Sequence, residues 1–208
     1  MALLGPDPRG ALEFIDKLGL FSTVFSNHQD QTEADTSPWS LAYNALHRLL
    51  TSSVNDTDDL LLAIDRVRNV LVRDSSDAYY AWIVVALSPL ANVSKPETQK
   101  KKPSAPYISK VARDSLRSDN KTSSILSDAA SSFHVIAAVK TSFLTGNLRG
   151  SGADIRQQVA YNIRSWKKDW RVCVIMSIAQ EVMSGTEFSK GKVFSPHAFS
   201  LWSLIPPF

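Results

Sequence analysis

Apolar positions recur along this chain at spacings of three and four residues, and no stretch sustains the strict alternation that a half-buried strand requires. The first such stretch follows Gly5-Pro6-Asp7-Pro8, where Asp7 is placed to cap free backbone N–H groups and Pro8 to occupy the first helical turn. Leu12, Ile15 and Leu18 then recur at i, i+3 and i+6, and Ala11 and Phe14 widen the stripe. Gly19 stops this helix before a second apolar group, Leu20, Phe21, Val24 and Phe25. A polar, acidic segment from His28 to Ser37 leads to a helix predicted over Trp39 to Ser52, with Ser37 as its cap and Pro38 as its first residue. Its buried side is Ala42, Leu46, Leu49 and Leu50. Leu60 to Val72 repeats the period at Leu60, Leu61, Ile64, Val67, Val70 and Leu71. Asp77 then reads as the cap of an almost wholly apolar helix that runs to Pro89, with Tyr79, Tyr80 and Trp82 as core anchors.

Residues 91 to 106 interrupt the pattern with Pro96, Pro103, Pro106 and the run Lys100-Lys101-Lys102, and they lack the apolar side chains needed to fold. They read as a linker between residues 1–90 and a second helical stretch, 107–185. Helices are expected over Tyr107 to Arg117, Asp119 to Leu144, Ala153 to Trp166 and Asp169 to Ser184, with Gly185 ending the last. Residues 186–208 show no period and are expected to be irregular. The pattern predicts an all-α fold, a multi-helix array with irregular loops.

Composition supports a real core, because 44% of the residues are hydrophobic, and the 8 glycines argue against a loop-rich β fold. The longest apolar run, Ala78 to Leu90, is shorter than the roughly 20 residues that span a bilayer, so a buried helix is expected and no membrane association. Asp7, Arg9, Glu13 and Asp16 interrupt any secretory signal, and one cysteine, Cys173, excludes an internal disulfide. An intracellular, reducing setting follows. Cys173 lies among Val172, Val174 and Ile175 and reads as core rather than as a nucleophile. The histidines, His28, His47, His134 and His197, lie too far apart for a zinc site.

Charge is divided unevenly. Residues 1–104 hold 10 Lys and Arg against 13 Asp and Glu, whereas 105–208 hold 13 against 7. From Lys95 to Arg171 there are 15 basic and 6 acidic residues, the balance a phosphate-tracking surface requires. Lys100, Lys101, Lys102, Arg113, Arg117, Lys121, Arg156, Arg164, Lys167, Lys168 and Arg171 are therefore candidate phosphate contacts. Around Arg164 the expected arrangement puts Arg156, Gln157 and Arg164 on an outward face, with Val159, Tyr161, Ile163 and Trp166 packing inward.

Catalytic candidates are poor. Asp56-Thr57-Asp58 has the spacing of a metal pair but reads as acids at a helix start, where the macrodipole favours them. Asp65 and Arg68 read as an ion pair one helical turn apart, and Gly150-Ser151-Gly152 as a turn. No catalytic or metal-binding residue is assigned.

The opening Leu4, Gly5, Pro6, Pro8, Ala11, Leu12, Ile15, Leu18 and Leu20 resemble the last shared motif of the class II tRNA nucleotidyltransferases, the CCA-adding enzymes. Ser76 to Trp82, Ala112 to Lys121 and Val159 to Arg171 look like later stretches of fungal members, so the likeness runs from Leu4 to about Gly185. The resemblance implies a helical body-and-tail portion that binds tRNA, not DNA, during CCA addition. The family's catalytic head precedes this motif, so the chain is expected to be a truncated fragment, inactive alone, with its head missing or supplied separately. The family's Mg²⁺, ATP and CTP belong to that head, and no residue here is assigned to them. The likeness allows a cytoplasmic, nuclear or mitochondrial setting. A helical protein-interaction module, using the first helix and Phe194, Phe199 and Trp202, is the alternative.

Overall fold

A computed structural model describes residues 5–25, 34–51, 59–93, 105–144, 157, 160, 161, 163, 164 and 169–185. Among them all regular structure is helical, as the periodicity predicts. In chain order the longer elements are α1 (Pro8–Lys17), α2 (Phe21–Phe25), α3 (Trp39–Thr51), α4 (Asp59–Leu71), α5 (Ser75–Leu87), α6 (Tyr107–Asp114), α7 (Asn120–Leu144) and α8 (Trp170–Met183).

Local chemistry sets the ends of α1. Asp7 Oδ1 accepts from the Gly10 N–H at 2.8 Å, and Pro8 opens the helix where a missing N–H costs nothing. At the other end the Leu20 N–H reaches the Ile15 carbonyl and the Gly19 N–H the Asp16 carbonyl, both at 2.9 Å. This paired closure needs a left-handed residue, and Gly19 supplies it at φ 63°.

The other boundaries depart from the sequence expectation in instructive ways. Ser37 does not cap α3: its hydroxyl and N–H turn back to Asp35 Oδ1 at 2.7 and 3.0 Å, and the helix begins one residue later, at Trp39. Asp74, not Asp77, caps α5, accepting the Asp77 N–H at 2.9 Å. α6 stops at Asp114, short of Arg117, which sits at φ 49° between α6 and α7. Most of the helix expected over Ala153 to Trp166, all of 186–208 and most of 91–106 lie outside the described residues.

α8 is the central helix. Ten of its residues are buried, and no polar stripe survives, so it must be covered on every side. α7 packs along it most extensively, α3, α5 and α4 cover its other faces, and α6 lies on α7. Thus the helices before and after residues 91–106 share one core. α5 is similarly enclosed, buried without a break from Ala81 to Leu87. Trp39 anchors the front of the molecule: fully buried, it donates from Nε1 to the Val85 carbonyl at 2.9 Å. Phe21, Phe25 and Tyr43 meet its ring nearly edge-on at centroid distances of 4.8, 6.0 and 5.7 Å, which ties α2 to α3 and α5.

Candidate nucleic-acid interface

One end of the bundle brings the end of α4 together with the beginnings of α5, α7 and α8. Helix starts attract anions, but here protein carboxylates already occupy two of them. Asp74 caps α5, and Asp119 caps α7 by accepting the Thr122 N–H at 2.8 Å. Hydrogen bonds from Thr122 hold the Asp119 carboxyl below its usual range. The third, the start of α8, has no side-chain cap, and basic side chains around these helix starts can meet a further anion.

Three cations are placed to do so. Arg73 donates from its N–H and Nε to Asp77 Oδ2 at 3.2 and 3.1 Å, with its side chain 57% exposed. A solvent-facing pair of this kind is weak, so an incoming phosphate competes with Asp77 at small cost. Lys121 projects from the first turn of α7 with its ammonium 5.3 Å from the centre of the Tyr80 ring. Its pKa is raised by Tyr80 first, and also by Asp169 and Asp119. Arg171, at the start of α8, donates from Nε to the Val70 carbonyl at 2.8 Å and stacks 4.6 Å over the Trp170 ring. Its pKa is lowered by burial and then by the charge of Arg73, so the two guanidinium groups feel one another across the α4–α5 turn. An anion beside both relieves that repulsion. Arg117 is exposed in the short link that precedes α7.

The aromatic residues of this end are only partly core. Trp82 is buried, as expected, whereas Tyr79 and Tyr80 are half-buried with ring centroids 5.5 Å apart. Burial, followed by the charges of Tyr80 and Asp119, raises the Tyr79 pKa.

The structure brings Lys121 and Arg171 together, with Arg117 close by in the chain, and exposes Arg113 at the end of α6. Arg164 is exposed on a separate helical stretch. Lys100, Lys101, Lys102, Arg156, Lys167 and Lys168 lie outside the described residues, as do Asp56, Asp58 and Gly150 to Gly152. Arg73 escaped the sequence reading, although an Arg four residues before an acid at a helix start was a usable signal. Tyr161 corrects that reading: expected to pack inward, it is 73% exposed, while Ile163 is buried as expected, at 4%.

The expectations for Asp65, Arg68 and Cys173 are met. Asp65 and Arg68 form the one-turn ion pair. Cys173 is fully buried, and burial pushes its thiol up to about 12, which leaves no thiolate near neutrality. Among the described residues no group of three or more His, Cys, Asp and Glu is placed to hold a metal, and no helix is long and apolar enough to cross a membrane.

Comparison with known proteins adds a partial match. A protein from Purpureocillium lilacinum named nucleotidyltransferase lcsQ is 33% identical over 129 residues, 61% of this chain. The chain is related to a nucleotidyltransferase. It spans only 20% of that protein's length, so the relationship concerns a part of the larger polypeptide. No family model matches the chain, and no solved structure does.

Proposed function

We propose that this chain is the RNA-holding helical portion of a tRNA nucleotidyltransferase, one that supports CCA addition to the tRNA 3′ end without carrying the catalytic residues. The observation that carries the reading is the gathering of Arg73, Lys121 and Arg171 at one end of the bundle, beside the starts of three helices. Folded RNA is held largely through its backbone and shape, and cations fixed on helices suit that task. The relationship to a nucleotidyltransferase supports the nucleotidyltransferase part of the reading. In this reading Mg²⁺, ATP and CTP act at a catalytic part outside these residues.

Titration of the purified chain with a labelled, unmodified tRNA transcript tests the reading. Affinity is expected to fall linearly with salt on a log–log plot, and Lys121→Ala to reduce that slope by about 1. Binding no tighter than that of an acidic helical control, or binding without a salt slope, overturns it. Incorporation of labelled CMP or AMP by the chain alone overturns its non-catalytic part.

A second reading rests on α1, where Phe14 and Leu18 are 63% and 54% exposed one turn apart. It takes the chain as a protein-docking module. Recovery of a defined protein partner that survives ribonuclease, together with no tRNA binding, favours it over the first.

A further inference from the structure

Tyr161 is the most exposed of the large apolar side chains described, at 73%, ahead of Phe14, Leu18, Val135, Leu41 and Val24. Ile163, two residues on, is buried and fixes the orientation of this helical stretch, so the outward position of Tyr161 is set by the core rather than by chance. Gln157 and Arg164 are exposed too, at four residues before and three after, and these spacings place all three side chains on one helix face. That face spans about 10 Å along the axis.

A single surface aromatic is ordinary and signifies nothing by itself. The company of Tyr161 is what distinguishes it: a phenol ring lies between a guanidinium and a carboxamide, with no acid among the described residues of this stretch. The surrounding sequence, Lys95 to Arg171, carries 15 basic residues against 6 acidic, so a polyanion is the partner its charge selects. Single-stranded nucleic acid is held by this combination, an aromatic ring for a base face and cations for the adjoining backbone.

We infer that Tyr161 is a stacking platform for an unpaired RNA base, that Arg164 takes the neighbouring phosphate, and that Gln157 hydrogen-bonds to the nucleotide beside it. The inference rests on the RNA-holding reading above and adds a contact of a different kind to it. The α4–α5 end meets phosphates irrespective of pairing, whereas the Tyr161 face requires a base free of the stack.

Two probes separate these roles in the full chain: an RNA hairpin with an unpaired loop, and a blunt duplex of the same stem sequence. Tyr161→Ala is expected to weaken hairpin binding about tenfold and to leave duplex binding unchanged, and Tyr161→Phe and Tyr161→Trp to retain hairpin binding. Urea unfolding of all three variants should match the parent, because the side chain buries little. Equal losses on both probes, loss in Tyr161→Phe equal to that in Tyr161→Ala, or no loss at all overturns the inference while leaving the RNA-holding reading intact. Failure of the unaltered chain to bind either probe overturns both.

Discussion

The Nε of Arg171 donates to the carbonyl oxygen of Val70 at 2.8 Å, joining residues 101 positions apart. Val70 lies in the last turn of α4, where carbonyls have no partner within the helix, so the guanidinium closes that end and fixes α8 against it. The same group stacks on Trp170. Arg171→Ala is therefore expected to destabilise the protein by about 1–3 kcal/mol, as for loss of a charged hydrogen bond. Lys121→Ala, whose side chain is exposed, should leave the urea midpoint unchanged and cost only RNA affinity. Comparing the two by urea unfolding and tRNA titration separates a cation that also holds the fold from one that only meets the ligand. Equal stability of the two variants would remove the structural role assigned to Arg171.

Arg117 sits in the left-handed region at φ 49°, where a side chain with a Cβ is strained and glycine is not. Two hydrogen bonds from its neighbours, Leu116 N–H to Val111 and Ser118 N–H to Ala112 at 3.4 and 3.0 Å, hold the chain in that turn. Keeping an arginine there has a conformational cost, and its exposed cation is the compensating gain the RNA-holding reading supplies. Arg117→Gly is expected to be as stable as the parent or more stable by up to about 1 kcal/mol, yet to bind tRNA less tightly. Arg117→Ala keeps the strain and loses the charge, so it should bind as weakly as Arg117→Gly with lower stability. A destabilised Arg117→Gly contradicts this account.

What could be read from the sequence was local. The turn, cap and glycine stop of α1 need only Asp7, Pro8 and Gly19, all within thirteen residues, and they appear where the spacing puts them. The uniformly apolar runs of α5 and α8 announce enclosed helices for the same reason. Caps were less legible where two acids compete: Asp74 and Asp77 both precede apolar residues, and only the fold shows that Asp74 takes the N–H while Asp77 turns to Arg73. The candidate site was legible as charge but not as arrangement. The Arg171–Val70 bond and the meeting of Lys121 with Tyr80 join distant segments, and helical periodicity carries no information about which helix ends will coincide. Tyr161 faces outward although its hydrophobicity suggests burial, while among the described residues of the stretch Ile163 is the one that is fully enclosed.

Lys140 and Glu181 form an ion pair between α7 and α8, with their side chains 10% and 19% exposed. Two charges this far from solvent have lost much of their hydration, so each depends on the other. Removing one partner, as in Lys140→Ala or Glu181→Ala, is expected to cost about 3 kcal/mol or more, because the charge that remains is left stranded. The double variant Lys140→Met/Glu181→Leu should recover most of that loss. A double-mutant cycle of Lys140→Met, Glu181→Leu and the double variant, read by urea unfolding, tests the pair, and additive effects of the two single variants would show that it contributes no coupling.

Tyr43 gives the fold a distinct response at high pH. Its hydroxyl donates to Asp16 Oδ2 at 3.0 Å, joining α3 to α1, and the residue is 3% exposed. Burial first, and then the hydrogen bond and charge of Asp16, push its pKa up to about 12 from an ordinary value of 10.0. In the unfolded chain the phenol ionises near 10, while in the folded protein it keeps its proton to about 12. Between those values the folded state binds more protons, so stability falls as pH rises through this window and is unaffected by Tyr43 below it. Tyr43→Phe cannot ionise and makes no hydrogen bond to Asp16. It should be less stable than the parent by about 1–3 kcal/mol at pH 7. Its stability should decline less steeply from about pH 10 to 12, so that the difference between the two proteins narrows as the parent's phenol ionises. Urea midpoints measured at pH 7, 9, 10 and 11 would show this convergence. Parallel curves across that range would mean that Tyr43 ionises equally in both states and that Asp16 does not hold its proton.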